Sequence, residues 1–383
     1  MVGMIPLAIP DLNGNEARYL QECVQSTFVS SVGAFVDRFE GLVAEAAGCA
    51  GAVAVSSGTA ALHAALTAVG VGRDDLVIMP SYTFIATANA VAQCGATPWL
   101  MDVEPVGWGI DPEMTQQALS QECERVDGVL RRRACGRRVA AVLPVQPLGN
   151  PCRMEAVTAV ARGFELPVIS DAAAALGATR HGKPVGELGA DLTCFSFNGN
   201  KTVTCGGGGA VAGQDAELLA RVKHLTTTAR VGPGYDHDVV GFNYRMTNLQ
   251  AAVGCAQMER LAQLVGAKRA IHARYVAAFA DISPELRPFA QASGSEGAWW
   301  FSGIMLEGDT QRLARLRDDL RAAGVDARPF WKPMHLQTPY LDAPRSAMAV
   351  SDAIWQGVLP LPSSTGLRAQ QQQQVIDALL QAL

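Results

Sequence analysis

The sequence predicts an α/β fold, with a mostly parallel sheet covered on both faces by helices and a smaller α+β domain after it. Three observations predict this. Short apolar runs rich in β-branched residues recur at Leu76–Pro80, Thr97–Val103, Val139–Val145, Leu166–Ser170 and Leu192–Phe197. They are apolar throughout rather than alternating, as strands buried on both faces are. Helical segments lie between them, and strands that alternate with helices build a parallel sheet with helices on its faces.

The elements follow in order. Asp111-Pro112-Glu113 places a capping aspartate before a proline at the first helical position, and Asn150-Pro151 repeats the device. After about Tyr244 the character changes. Thr247–Phe279 reads as one or two long helices, with Leu249, Val253, Met258, Leu261 and Leu264 on a recurring apolar face. Trp299–Leu306 reads as a strand. Leu313, Leu316, Leu320 and Ala323 then mark an amphipathic helix closed by Gly324. The glutamine run at 370–374 opens a final helix. The pattern divides the chain into a larger domain over 1–245 and a smaller one over 246–383.

Hydrophobic residues make up 49% of the 383 and charged residues 17%, against ~25% charged in an ordinary soluble domain. That balance excludes a disordered chain and points to apolar surface covered by a second subunit. With 31 basic residues against 36 acidic, the net charge is −5. No basic field therefore exists to hold nucleic acid or an anionic membrane. The basic cluster Arg131–Arg138 (RRRACGRR) reads as a solvated loop. The nine cysteines form no C-x-x-C pair, so neither a zinc ribbon nor a redox dithiol is expected, and no metal site. Cys94 and Cys194 sit in apolar runs and read as small buried hydrophobes. The N-terminus lacks a basic start and an apolar stretch of signal-peptide length. No window reaches the ~18 apolar residues that span a bilayer. A cytoplasmic protein is expected.

Three features carry chemistry. The run AVSSGTAALHAAL within Val53–Leu66 puts Gly58 and Thr59 where a strand turns into a helix. A helix N-terminus offers unpaired N–H groups and a positive dipole end to a phosphate; a plain capped turn would use the same residues. Asp171 follows a buried strand, and the carboxyl ends of parallel strands are where α/β sheets bind ligands. An N-cap would also account for an aspartate there. Lys201 stands alone in CFSFNGNKTVTCGGGG, after an apolar strand and before four glycines. In an apolar pocket its amine would have a lowered pKa, and the neutral amine is what attacks a carbonyl. A surface lysine is the plainer alternative, disfavoured by the apolar strand before it and the glycines after it. Together, phosphate cradle, lysine and strand-end carboxylate are the parts a pyridoxal phosphate enzyme requires.

At these residues the chain resembles the DegT/DnrJ/StrS-type sugar aminotransferases, pyridoxal-phosphate enzymes of the aspartate-aminotransferase-like fold type I. The resemblance runs over nearly the whole chain, through FVSSVGAFVDRFE, SSGTAALHAAL, PSYTFIATANAVAQCGATPWLMDV, SDAAAALGA, FSFNGNK, GFNYRMTNLQAA and RPFWKPMHLQTPY. The FNGNK motif with its glycine run is similar to the branch that aminates UDP-linked 4-keto-6-deoxy-N-acetylglucosamine-type sugars for surface-glycan and nonulosonic-acid-type pathways. The resemblance implies that Lys201 forms the covalent link to the cofactor aldehyde and shuttles the proton, while Asp171 pairs with the pyridinium nitrogen. It implies that Gly58, Thr59 and Ser196 hold the phosphate and that Phe84 stacks on the ring, unless Phe84 is simply a core aromatic. Asn243 would reach the phosphate of a neighbouring subunit's cofactor, making a homodimer with shared active sites the working unit. L-glutamate is the implied amino donor and a sugar nucleotide the acceptor. One position departs: where the family usually has glutamine, histidine or glutamate beside the cofactor's phenolic oxygen, this chain has Ala174.

Arg245, Arg328, Lys332 and His335 are the candidates for substrate binding. The last three bring positive or titratable groups beside Phe330 and Trp331, a mix suited to a diphosphate and a flat ring. Domain packing would explain the aromatics equally, and Arg245 would suit a carboxylate of its own subunit as well as a ligand. Rival readings are a cofactor-dependent sugar dehydratase and a non-catalytic sugar-nucleotide binder on the same scaffold. The first has histidine where this chain has Lys201, and the second has no use for Lys201 and Asp171. A dinucleotide-dependent dehydrogenase fails on spacing, because Gly206–Gly209 is not G-x-G-x-x-G.

Overall fold

A computed structural model describes residues 3–307 and 310–383; Met1 and Val2, at the head of the N-terminal stretch read above, lie outside them. The central sheet is built from β1 (Gly51–Val55), β2 (Leu76–Pro80), β3 (Thr97–Met101), β4 (Val139–Val142), β5 (Ile169–Asp171), β6 (Leu192–Ser196) and β7 (Gly209–Gly213). One half runs β1-β7-β6-β5 and the other β4-β2-β3. Parallel bridges from Val142 to Val168 and from Val145 to Asp171 join the halves. β2 is parallel to β3 and β4, and β5 to β6, while β7 runs antiparallel to both its neighbours.

The helices that cover it are α1 (Glu16–Ser26), α2 (Ala34–Ala47), α3 (Gly58–Ala68), α4 (Ile85–Gln93), α5 (Pro112–Glu122), α6 (Met154–Gly163), α7 (Ala216–Thr226) and α8 (Asn248–Met258). Successive side chains of a strand point to opposite faces, and β2 feeds both. Val77 and Met79 enter a core with α3, α4 and α7, whereas Leu76 and Ile78 enter one with α5 and α6. A third core joins α1, α2 and α8 to Phe195 and Phe197. Each fully buried aliphatic of this kind contributes about 1.5–3 kcal/mol. The long helix α9 (Leu261–Phe279) leads to a three-stranded antiparallel sheet of β8 (Leu286–Pro288), β9 (Ser302–Leu306) and β10 (Val358–Leu361). This sheet packs with α9, α10 (Thr310–Ala322) and α12 (Ala369–Ala382) around Ile304, Leu316, Leu359 and Leu379. A nine-residue helix, α11 (Ala349–Gly357), lies between α10 and α12 in the chain. Among the described residues no helix is long and apolar enough to cross a membrane.

Several local expectations are corrected. Asp111 does cap α5, accepting from Met114 N at 2.8 Å, but Asn150-Pro151 starts no helix. Asn150 is extended (φ −103°, ψ 112°), its amide donates to Ala290 O, and α6 begins only at Met154. The strand expected from Trp299 begins at Ser302, because Trp299 itself has φ +50° and turns the chain. RRRACGRR is no free loop. Arg131 and Arg132 close a hairpin of Cys123–Val126 with Val129–Arg132, and ion pairs tie Arg132 to Glu122, Arg133 to Glu124 and Arg138 to Asp75. Cys194 is buried, whereas Cys94 is half-buried at the end of α4 and lies 3.8 Å from Thr67 Oγ1.

Candidate active site

The carboxyl ends of the parallel strands open into a cavity of about 640 Å³. Helix α3 delivers one wall. Ser57 caps it, its hydroxyl accepting from Ala60 N at 3.1 Å, which leaves the amides of Gly58 and Thr59 as the first helical donors without an intrahelical acceptor. Gly58 is required by packing: a Cβ there would stand 2.7 Å from Ser196 Cβ and 3.0 Å from its Oγ. Gly58, Thr59 and Ser196 all line the cavity.

Asp171 ends β5 and is 5% exposed. No helix follows it, so the N-cap alternative does not describe it. Its Oδ1 accepts from Ala173 N at 3.2 Å and its Oδ2 from Thr87 Oγ1 at 2.7 Å. The Thr87 hydroxyl in turn lies 2.9 Å from Thr83 Oγ1, in the loop just before α4. Burial raises the carboxyl's pKa, while Thr87, Ala173 and Lys201 oppose the rise.

Lys201 lies beyond the end of β6, after the turn at Asn198–Asn200. Its Nζ stands 3.5 Å from the centroid of the Trp300 ring, whose Nε1 donates to Asn200 O at 2.7 Å. Desolvation lowers the amine to about 8, with the Asp171 charge resisting. The sequence therefore brings Gly58, Thr59, Phe84, Asp171, Ser196, Lys201 and Arg328 to one cavity.

Phe84 is half exposed at the mouth, its ring centroid 6.5 Å from that of Trp331. Arg328 reaches the same rim while both its Nε and Nη2 hold the Asp326 carboxylate. Ala174 lines the floor with only a methyl. Gly149 (φ +82°) lies so close that a Cβ on it would be 2.4 Å from Ala174 O.

Four expected site residues lie outside the lining of this cavity. His335 is buried, held between Ser81 Oγ at 2.7 Å and Asp352 Oδ1 at 3.0 Å. Lys332 is exposed. Asn243 and Arg245 are exposed beside α3's entry strand, where Arg245 bridges Val55, and among the described residues Arg245 forms no ion pair. Sequence reading missed Thr87, Gln146 and Trp300. Thr83, four residues before Thr87, precedes the N-cap of α4, so no helical spacing signalled Thr87 in the sequence.

The match to known proteins extends along almost the full length. Residues 10–380 fit the DegT/DnrJ/EryC1/StrS aminotransferase family. The chain belongs to that family. It is 37% identical to GDP-perosamine synthase of Caulobacter vibrioides, over 99% of this chain and 98% of that protein. It is 34% identical to the protein of the same name from Vibrio cholerae, over 98% of each. A crystal structure of a family aminotransferase from Brucella abortus superposes with a TM-score of 0.86 at 28% identity, covering 95% of this chain and 94% of that one. The fold is that of the fold type I pyridoxal-phosphate-dependent transferases, and the protein is a sugar aminotransferase whose cofactor is pyridoxal 5′-phosphate. The cavity fits that group: α3 presents free amides beside a glycine that no Cβ could replace, Asp171 is a buried carboxylate, and Lys201 is an amine of lowered pKa.

Proposed function

We propose that the enzyme moves an amino group from L-glutamate to the keto carbon of a 4-keto-6-deoxy-hexose linked to guanosine diphosphate, in the cytoplasm. What carries the reading is one cavity holding the amide cradle, Asp171 and Lys201, in a chain that matches GDP-perosamine synthases end to end. The similarity to UDP-N-acetyl-sugar enzymes rested on the short FNGNK motif, and the full-length matches favour GDP.

Bound pyridoxal phosphate supplies an aldehyde that takes up the amino group and a ring that accepts electrons when it is protonated. In this reading Gly58, Thr59 and Ser196 hold its phosphate, and Asp171 keeps the ring nitrogen protonated. Thr87 and Ala173 N hold Asp171 in place. Lys201 Nζ would carry a proton between substrate carbon and cofactor carbon, off the α-carbon when the donor is bound and onto the sugar carbon when the acceptor is bound, a task suited to an amine lowered to about 8. Phe84, Phe330 and Trp331 cover the mouth against water, and Arg328, oriented by Asp326, meets the acceptor's diphosphate.

The site is shared in this reading. Asn243 and Arg245 face outward, and Val231, Tyr235, Val239 and Val240 are exposed beside them, Tyr235 at 87% and Val240 at 86%. Such an apolar surface supports a two-fold contact that carries Asn243 to the partner's cavity. The test of function is mass spectrometry of products from GDP-, UDP- and TDP-linked 4-keto-6-deoxy sugars with glutamate. Amination confined to the GDP sugar supports the reading; selective amination of a UDP sugar overturns it.

A further inference from the structure

Helix α9 carries Lys268, a lysine 2% exposed that forms no ion pair among the described residues. Its ammonium donates to two main-chain oxygens, Trp300 O at 2.8 Å and Ser363 O at 2.5 Å. A buried amine satisfied only by carbonyls is costly to retain. The same helix face carries Arg269, whose Nε donates to Gly297 O at 3.0 Å, and His272, whose ring stacks on Trp299 at 3.4 Å. These three side chains grip the segment 297–300 at its most strained point. Trp299 has φ +50°, a conformation rare for a bulky side chain and retained only where surroundings enforce it.

The consequence of that turn is the placement of Trp300. Its N–H donates to Leu148 O, its carbonyl is held by Lys268, and its indole N–H holds Asn200 O, the residue before Lys201. Its ring face lies 3.5 Å from Lys201 Nζ. Trp300 thus contacts the amine through its ring and the amine's own turn through its nitrogen.

We propose that Lys268 and Trp300 form a positioning unit for Lys201, in which the buried ammonium fixes the indole and the indole fixes the amine and its turn. The inference rests on Lys201 being the reacting amine. Lys268 acts through Trp300 and is a positioning residue. Burial lowers the proton affinity of Lys268, and the charge of Lys201 lowers it further. Asp171 is the opposing charge that faces Lys201.

The experiment follows Lys201 in the cofactor-free protein by competitive amine labelling across pH, read by peptide mass spectrometry, alongside turnover of the holoenzyme. Lys268→Met removes the anchor, and Trp300→Phe keeps an aromatic ring while removing the indole N–H. Both let water reach Lys201, so its labelling midpoint should rise by about half a unit or more. Both should lower kcat about tenfold with little change in KM, the mark of a misplaced reacting group rather than lost binding. If Lys268→Met does not fold, Trp300→Phe decides alone. An unshifted midpoint with kcat within twofold overturns the proposal. Lys201→Ala that still turns over overturns the assignment of the amine instead, so the two failures are distinguishable.

Discussion

Thr87 donates its hydroxyl to Asp171 Oδ2 at 2.7 Å, fully inside the protein, and so ties the first turn of α4 to the end of β5. A hydrogen bond to an ionised carboxylate stabilises the charged form, against the burial that raises this group's pKa. Thr87→Val keeps the shape and removes the donor. Turnover should fall about 10- to 100-fold, the range for a lost bond to a charged group. Because the carboxyl's pKa then rises further, activity should be lost at a higher pH on the acid side than in the wild type. A pH–rate profile of both proteins checks this; coincident acid limbs would show that Thr87 does not tune Asp171.

Asp171→Asn should reduce turnover by several orders of magnitude, because a ring nitrogen without its carboxylate is a poor electron sink. Asp171→Glu should be intermediate, limited by the fixed position of the Thr87 hydroxyl. Steady-state kinetics with circular dichroism as a folding control make the measurement. Near-native turnover in Asp171→Asn would leave the residue a purely structural role.

Lys201→Ala should abolish turnover and the covalent cofactor adduct trapped by borohydride, while the protein stays folded. Intact-protein mass after reduction reads the adduct directly. A retained adduct would move the attachment to another amine.

Gly58→Ala should weaken cofactor retention and lower stability. The new methyl meets Ser196 Cβ at 2.7 Å, and overpacking of this kind costs about 1–3 kcal/mol. Equilibrium dialysis and a thermal melt check it. Unchanged retention would mean that the amide cradle tolerates displacement.

Mixing Lys201→Ala with Asn243→Ala under subunit exchange tests the shared site. One hybrid site carries both defects and the other neither, so partial activity should return. A mixture that stays dead with exchange confirmed by mass would place Asn243 outside the partner's site.

Stability of the cofactor-free protein should depend on pH through Lys268. Burial lowers its pKa from 10.5 to about 7, so between those values the unfolded chain binds more protons than the folded one. Stability from this group therefore rises with pH from about 7 toward 10.5 and is absent at lower pH. The melting temperature of wild type minus that of Lys268→Met should accordingly climb across this range. A flat difference would mean that Lys268 titrates normally in the fold.

The sequence by itself determined the strand-helix alternation, the entry of α3 at Gly58 and Thr59, and the choice of Asp171 and Lys201, which line one cavity. These are local properties: continuous apolar runs mark strands buried on two faces, glycine before an alanine-rich helix marks its entry, and a lone lysine in apolar sequence marks an enclosed amine. Only the tertiary structure decided what surrounds them. Thr87 is 84 residues from Asp171 and Trp300 is 100 residues from its hydrogen-bond partner Asn200, and no periodicity encodes contacts at such separations. Tertiary contacts also overrode local signals: Asn150 gives its side chain to Ala290 rather than capping a helix, and His335 is taken up by Ser81 and Asp352 rather than turned toward the cavity. A capping residue or a histidine declares what bonds it can make. Which partner it meets depends on the packing of distant segments, and that is settled only when the two sheets and α9 come together.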